Sequence, residues 1–208
     1  MQNDFGNIVN KNNIVIGVDF DNTIVCYHDV FHKVAVDRKL IHPNFPKDKE
    51  KIRNYLRKIN QEDAWTEMQG VVYGKEMAFA KAFSGVAIFF KAMRKNNIKT
   101  IIISHKTKFP YLGEKVDLHK AASKWLDQIN LGENEIYFLE TKKEKCEKIV
   151  ECGCTHFIDD LPELLSDPFF PGHVHKILFS ENQKSDRHHF TTFSHWNEIR
   201  KHFLCEIV

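Results

Sequence analysis

Five short apolar runs constrain this chain more than any other feature. They fall at 14–19 (IVIGVD), 98–103 (IKTIII), 135–139 (EIYFL), 155–158 (THFI) and 174–179 (VHKILF). Their apolar residues do not alternate with polar ones, as suits strands buried on both faces of a parallel sheet. Helical patterns separate them. The run GVAIFFKAMRKNN follows Ser84, a suitable N-cap. Residues 116–130 (VDLHKAASKWLDQIN) are helical in character and are followed by Gly132, a stop signal. Residues 142–152 follow Thr141, and Glu144 completes a capping box. A last helix is expected at about 195–204 (HWNEIRKHFL). Strands alternating with helices predict an α/β fold with a doubly wound parallel sheet of about five strands.

One segment breaks the rhythm. Residues 27–83 separate the first strand from the first core helix, far beyond the usual βα loop of about 2–6 residues. Within it, 47–60 (KDKEKIRNYLRKIN) and 75–83 (KEMAFAKAF) have helical character. The segment is expected to be a small, mostly helical insertion over the end of the first strand. The chain then divides into a core of 1–26 and 84–208 and an insertion of 27–83. The polar stretch 180–194 is expected to be a surface loop, with His188 and His189 an exposed pair within it.

Composition excludes several classes. Hydrophobic residues make up 42% and charged residues 28%, which rules out wholesale disorder. The formal net charge of +2 gives no electrostatic basis for a nucleic-acid partner. The basic run 47–58 mixes in acids and is expected to be a solvated helix face. No apolar run approaches the roughly 18 residues of a membrane span. The five cysteines lack any framework spacing and are expected to be free thiols. With a polar first segment that lacks a secretory pattern, they point to the cytoplasm.

The chemistry converges on one sheet edge. The first strand ends in V-D-F-D-N-T, which places Asp19 and Asp21 at its C-terminal end, where open α/β sheets bind ligands. Two carboxylates so close repel unless a cation or a shared proton intervenes, and a hard ion such as Mg²⁺ suits an all-oxygen site. Ser104 ends the second strand and Asp159 and Asp160 end the fourth, so all three reach the same edge. Lys145 lies on the helix before that fourth strand. Such a set is a poor choice for stability alone and a sensible cage for a metal and a phosphate. In the S-H-K-T loop, His105 and Lys106 could line the substrate entrance, Lys106 meeting a second anionic group. Tyr27, His28, Asp29, His32 and Lys33 open the insertion and are expected to hang over the site.

D-x-D-N-T after an apolar strand, then I-I-I-S, a lysine and F-I-D-D resembles the four-motif signature of the haloacid dehalogenase superfamily of aspartate-nucleophile phosphatases. The motifs stand in family order across residues 14–160. The stretch K-C-E-K-I-V-E-C-G-C-T-H-F-I-D-D further resembles the deoxyribonucleotidase-like branch. The resemblance implies a Rossmann-like core with a central first strand and a cap formed by residues 27–83. It implies that Asp19 is the nucleophile, Asp21 the general acid and base, and Thr23 an orienting residue for the loop. Ser104 would hydrogen-bond the phosphoryl oxygens, and Lys145 would neutralise charge. Magnesium would be held by Asp19, the Asp21 backbone carbonyl and Asp160, with Asp159 behind or joined through water. The final motif, D-D-L-P-E, departs from the commoner G-D followed by another aspartate, so Asp159 and Asp160 remain alternatives for the direct ligand. Lys142 and Lys143 remain alternatives to Lys145. The expected activity is Mg²⁺-dependent hydrolysis of a small phosphomonoester, a phosphosugar or a nucleotide. A phosphoryl mutase and a non-catalytic phospho-ligand-binding domain are the alternatives.

Overall fold

The computed structural model describes residues 14–181 and 190–206. Strand β1 (Val15–Val18) is followed by a tight turn and a two-residue strand, β2 (Val25–Cys26). Three helices come next, α1 (His28–Asp37), α2 (Lys49–Lys58) and α3 (Glu62–Tyr73). A single 3-10 turn at Met77–Phe79 leads into β3 (Lys81–Ala82). Helices and strands then alternate: α4 (Val86–Lys95), β4 (Lys99–His105), α5 (Leu118–Ile129), β5 (Glu135–Leu139), α6 (Lys142–Glu151) and β6 (His156–Asp159). The short α7 (Pro162–Leu165), β7 (His175–Phe179), β8 (Thr191–Phe193) and α8 (Trp196–Glu206) complete the chain.

The main sheet has six strands in the order β5-β4-β1-β6-β7-β8, and every pairing in it is parallel. This is the doubly wound α/β architecture that the apolar runs predict, with one strand more. The sixth, β8, lies inside the stretch expected to be a loop, because three half-exposed residues (TTF) at a sheet edge are too short to show as an apolar run. His188 and His189 fall outside the described residues. Strand β1 is central, with β4 on one side and β6 on the other. The strand order reverses there, which opens a crevice at the C-terminal end of β1.

Both faces of the sheet are buried. Ile102 and Ile158 join one apolar cluster; Ile101, Ile103 and Phe157 join the other. Successive side chains point to opposite faces, so strands covered on both sides need apolar residues at consecutive positions. Gly17 fits the same logic. A Cβ there would stand 2.4 Å from the Phe157 ring, so only glycine lets that ring lie across β1.

Side-chain caps set the starts of α2, α5 and α6. Asp48 caps α2 and Asp117 caps α5 through their side chains. Thr141 and Glu144 form both halves of the capping box of α6, at 3.1 and 2.9 Å. At α4 the N-cap is Gly85 in the left-handed region, not Ser84.

The insertion leaves through β2 and returns through β3, which pair antiparallel and bring its two ends together. It holds two helices that periodicity does not reveal. Helix α1 (HDVFHKVAVD) is rich in β-branched, aromatic and histidine residues of modest helix propensity, and burial of Val30, Phe31, Val34 and Ala35 holds it. Helix α3 buries Trp65, Met68, Gly70 and Val72. The stretch 75–83 is a turn and a strand rather than a helix. Ile52, Leu56, Trp65 and Met68 belong to the same buried cluster as Phe20 and Trp125, so insertion and sheet share one core. Among the described residues no helix is long and apolar enough to cross a membrane.

Candidate active site

The turn after β1 builds the site. Asp19 N–H extends the pairing with β6 by donating to Ile158 O at 2.9 Å. The Phe20 carbonyl then accepts from the N–H groups of Ile24 and Val25, at 3.0 and 3.1 Å. Asn22 takes a left-handed conformation (φ 61°) to close the turn, which an asparagine tolerates well. Phe20 anchors it from below, edge-on to Trp125 and Phe138.

Asp19 is buried and doubly bonded. Its Oδ1 accepts from Ser104 Oγ at 2.9 Å and from Lys145 Nζ at 2.6 Å. Lys145 also donates to Asp159 Oδ2 at 2.6 Å, and Asp159 Oδ1 accepts from Leu161 N at 2.9 Å. Among the described residues, the Asp160 carboxylate accepts one hydrogen bond, from Thr23 Oγ1 at 3.3 Å. Carboxylate oxygens of Asp19, Asp159 and Asp160 lie within 4.8 Å of one another.

Charge in this cluster does not balance. Burial pushes the Asp19 carboxyl up to about 6, with Asp159 adding to the shift and Lys145 opposing it. Burial, then Asp159 and Asp19, push the Asp160 carboxyl well above the usual carboxylate range. Burial works against the Lys145 ammonium, but Asp159 and Asp19 outweigh it and hold its pKa above the ordinary lysine value. Three acids crowd the Lys145 ammonium, and Lys49 adds a through-space pull on Asp160 that burial and the neighbouring acids outweigh. A hard divalent cation fits this oxygen donor set and would supply the missing positive charge.

Asp21 has different company. Both its oxygens accept from Lys106 Nζ, at 3.0 and 2.8 Å, and Oδ1 also accepts from the Tyr27 hydroxyl. The Lys106 ammonium lies 4.7 Å from the centre of the Tyr73 ring, a cation–π contact. Asp21 therefore has its own cation, and its side chain stands apart from the three-acid cluster.

A cavity opens between these groups. Asp19, Asp21, Ser104, Lys145 and Asp160 wall it, and Asn22, His105, Lys142 and Leu161 stand around them. Lys145 is the lysine buried against the acids; Lys142 lines the cavity, and Lys143 pairs with Glu147 on the surface. His105 bonds the Glu140 carbonyl at 3.0 Å, and burial lowers its pKa.

No family model and no curated protein matches the chain; solved structures do. A haloacid-dehalogenase-superfamily hydrolase of Ehrlichia chaffeensis is similar over 94% of this chain and 97% of its own, at 12% identity and a TM-score of 0.58. A family IA hydrolase of the same superfamily from Entamoeba histolytica is similar over 93% and 99%, at 14% identity and 0.55. A phosphatase of the superfamily from Thermococcus onnurineus is similar over 94% and 100%, at 12% identity and 0.51. This is the haloacid dehalogenase fold.

On that fold, several expectations need correction. Of the residues that open the insertion, Tyr27 bonds a site carboxylate, while His28, Asp29 and Lys33 hold ion pairs with other residues. His28 pairs with Glu181, Asp29 with Lys47 and Lys81, and Lys33 with Asp37 and Glu76. Among the described residues, His32 Nε2 is buried without a hydrogen-bond partner. Lys106 meets Asp21 rather than standing ready at the entrance. The run 47–58 is not wholly solvated, because Lys49 donates to Asn22 Oδ1 at 2.8 Å. Its ammonium also lies 5.5 Å from the centres of the Phe31 and Tyr73 rings. Nothing in the sequence marks Lys49, whose place beside the site depends on how α2 packs. The pattern S-H-K-T did single out Lys106, though not its partner.

Proposed function

We propose that the chain is a Mg²⁺-dependent phosphomonoester hydrolase that works through an aspartyl-phosphate at Asp19. One observation carries the reading: two carboxylates share one sheet edge in unlike settings. Asp19 is held by Ser104 and Lys145 beside an acid cluster short of positive charge. Asp21 is held by Lys106 and Tyr27 at the cavity wall.

The roles follow from these settings. An Asp19 oxygen attacks phosphorus and the P–O ester bond breaks. Asp21 protonates the leaving oxygen, then takes a proton from the water that hydrolyses the acyl phosphate. Ser104 donates to a phosphoryl oxygen, and Lys145 offsets its charge and keeps Asp19 ionised. Thr23 orients Asp160. Asp19, Asp160 and the Asp21 carbonyl would hold the cation, with Asp159 behind them. The chemistry the cation supplies is neutralisation of the phosphoryl oxygens and the nucleophile.

The cavity encloses about 60 Å³. That is room for a small polar group, and the Ser104 hydroxyl and Lys145 ammonium on its wall suit a phosphoryl group. The rest of the substrate then lies at the mouth, near His105 and Lys142, under a cap formed by residues 27–83. A small phosphorylated metabolite, a phosphosugar or a nucleotide, fits this reading, and the free thiols fit a cytoplasmic enzyme.

The test is phosphate release from a panel of phosphosugars, nucleotides and p-nitrophenyl phosphate, with Mg²⁺ and with chelator. Mg²⁺-dependent turnover on at least one member supports the proposal and ranks the substrate class. Turnover that chelation leaves untouched, or none on any member, contradicts it.

A further inference from the structure

We propose that Lys106 and Tyr27 are positioning residues for Asp21, one from the core and one from the insertion, and that they fix the carboxylate for proton transfer. The inference rests on the phosphatase reading above. Neither residue belongs to the aspartate, serine, lysine and acidic-pair set that the motifs identify.

The contact geometry is that of a built clamp. Lys106 Nζ reaches both Asp21 oxygens, at 3.0 and 2.8 Å, which fixes the plane of the carboxylate as well as its distance. The Lys106 side chain is 2% exposed and that of Asp21 17%, so little solvent competes for the pair. The lysine is itself held at several points. Its N–H donates to Leu139 O at 2.8 Å, and its carbonyl accepts from His119 Nε2 at 2.7 Å. Its ammonium rests between the Tyr73 and Phe20 rings, at 4.7 and 5.6 Å from their centres. A long, flexible side chain is thereby held in one geometry.

Tyr27 adds a second hold on the same carboxylate. Its hydroxyl donates to the Asp21 oxygen that Lys106 also bonds, and Met77 Sδ lies 3.3 Å from that hydroxyl. The ring is buried edge-on to Tyr73 and Phe31, both in the insertion. Tyr27 stands immediately before α1, so its place depends on how the insertion packs. A carboxylate held by an ammonium and a phenol from separate parts of the fold cannot swing towards solvent or towards the acid cluster. A proton-transfer group works best when it is held within reach of the reacting oxygen.

The test is a set of double-mutant cycles read by kcat and KM on p-nitrophenyl phosphate with Mg²⁺. Lys106→Met removes the charge and keeps the stem; Lys106→Arg keeps a cation. Tyr27→Phe removes the hydroxyl and keeps the packed ring, so it remains informative if Lys106→Met fails to fold. Misplacing a proton-transfer group lowers rate by up to about 100-fold. We expect Lys106→Met to lower kcat roughly 10- to 100-fold with KM changed less than about threefold. The expected loss for Tyr27→Phe is roughly fivefold, with partial recovery by Lys106→Arg over Lys106→Met. In the Asp21→Asn background neither substitution should lower kcat further, because both act through Asp21. Equal losses with and without Asp21, or a wild-type kcat for the single variants, would overturn the clamp. A wild type that turns over no phosphomonoester would instead sink the phosphatase reading, so the two failures are distinct.

Discussion

The two halves of the site hold their carboxylates in opposite ways. On the side of Asp19, three acids crowd the Lys145 ammonium, with Lys49 acting on Asp160 through space, and burial still drives two of them towards the protonated form. On the side of Asp21, one acid has one ammonium and a phenol to itself. The first arrangement is incomplete without another cation and suits a metal and an anionic phosphoryl group. The second is complete as it stands and suits a group that handles protons in place. The difference supports unlike roles for Asp19 and Asp21, although the two stand only two residues apart in the chain.

The strongest way to break the comparison is to remove the nucleophile. Asp19→Asn should cut Mg²⁺-dependent phosphate release by about 10⁴-fold or more while the fold survives. Steady-state kinetics beside a thermal melt checks both halves of that statement. Next comes the unequal cost of removing each lysine. Lys145→Met leaves Asp19 and Asp159 buried without their ammonium and should destabilise by about 3–5 kcal/mol. Lys106→Met strands a partly exposed carboxylate that keeps the Tyr27 hydroxyl, and should cost about 1–3 kcal/mol. Urea unfolding measures both, and equal losses would erase the distinction between the two sides.

Asp160→Asn sharpens it with a smaller effect. Removing the acid with least compensation should stabilise the metal-free protein by about 1 kcal/mol. The same change should weaken the rise in Tm that Mg²⁺ gives the wild type. A metal-free variant less stable than wild type would show that the carboxylate is already well satisfied.

The smallest effect is in pH dependence, and it compares the two ends of the sheet. Asp19, pushed up to about 6, binds its proton more tightly folded than unfolded. Its contribution to the metal-free protein is therefore present below about pH 4 and is lost as pH rises to about 6. At the opposite end, burial and then His175 and His202 lower His156 from 6.5 to about 4. Its contribution is present above pH 6.5 and is lost as pH falls towards 4, the reverse slope. Melts of metal-free wild type and Asp19→Asn between pH 4 and pH 7 should differ, the variant losing the falling component.

How much was legible depended on whether a residue's neighbours came from its own segment. Asp19, Ser104 and Asp159 each stand within a residue of a strand's C-terminal end, so an apolar run ending in a polar residue was enough to send them to one edge. Thr141 and Glu144 were legible for the same reason: a capping box is closed within four residues. Lys49 and the partner of Lys106 were not, because those contacts join elements far apart in the chain. The helices α1 and α3 are not legible from periodicity, because tertiary burial of Phe31 and Trp65, stacked at 4.7 Å, stabilises sequences of modest helix propensity. Strand β8 was hidden by its brevity and its place at the edge.

The central claim is that Asp19 becomes phosphorylated. Acid-quenching the enzyme during turnover with Mg²⁺ and p-nitrophenyl phosphate, followed by peptide mass analysis, tests it directly. The account predicts one phosphoryl group on the peptide bearing Asp19, absent from Asp19→Asn. Full turnover with the label on another residue, or undiminished turnover by Asp19→Asn, would contradict it.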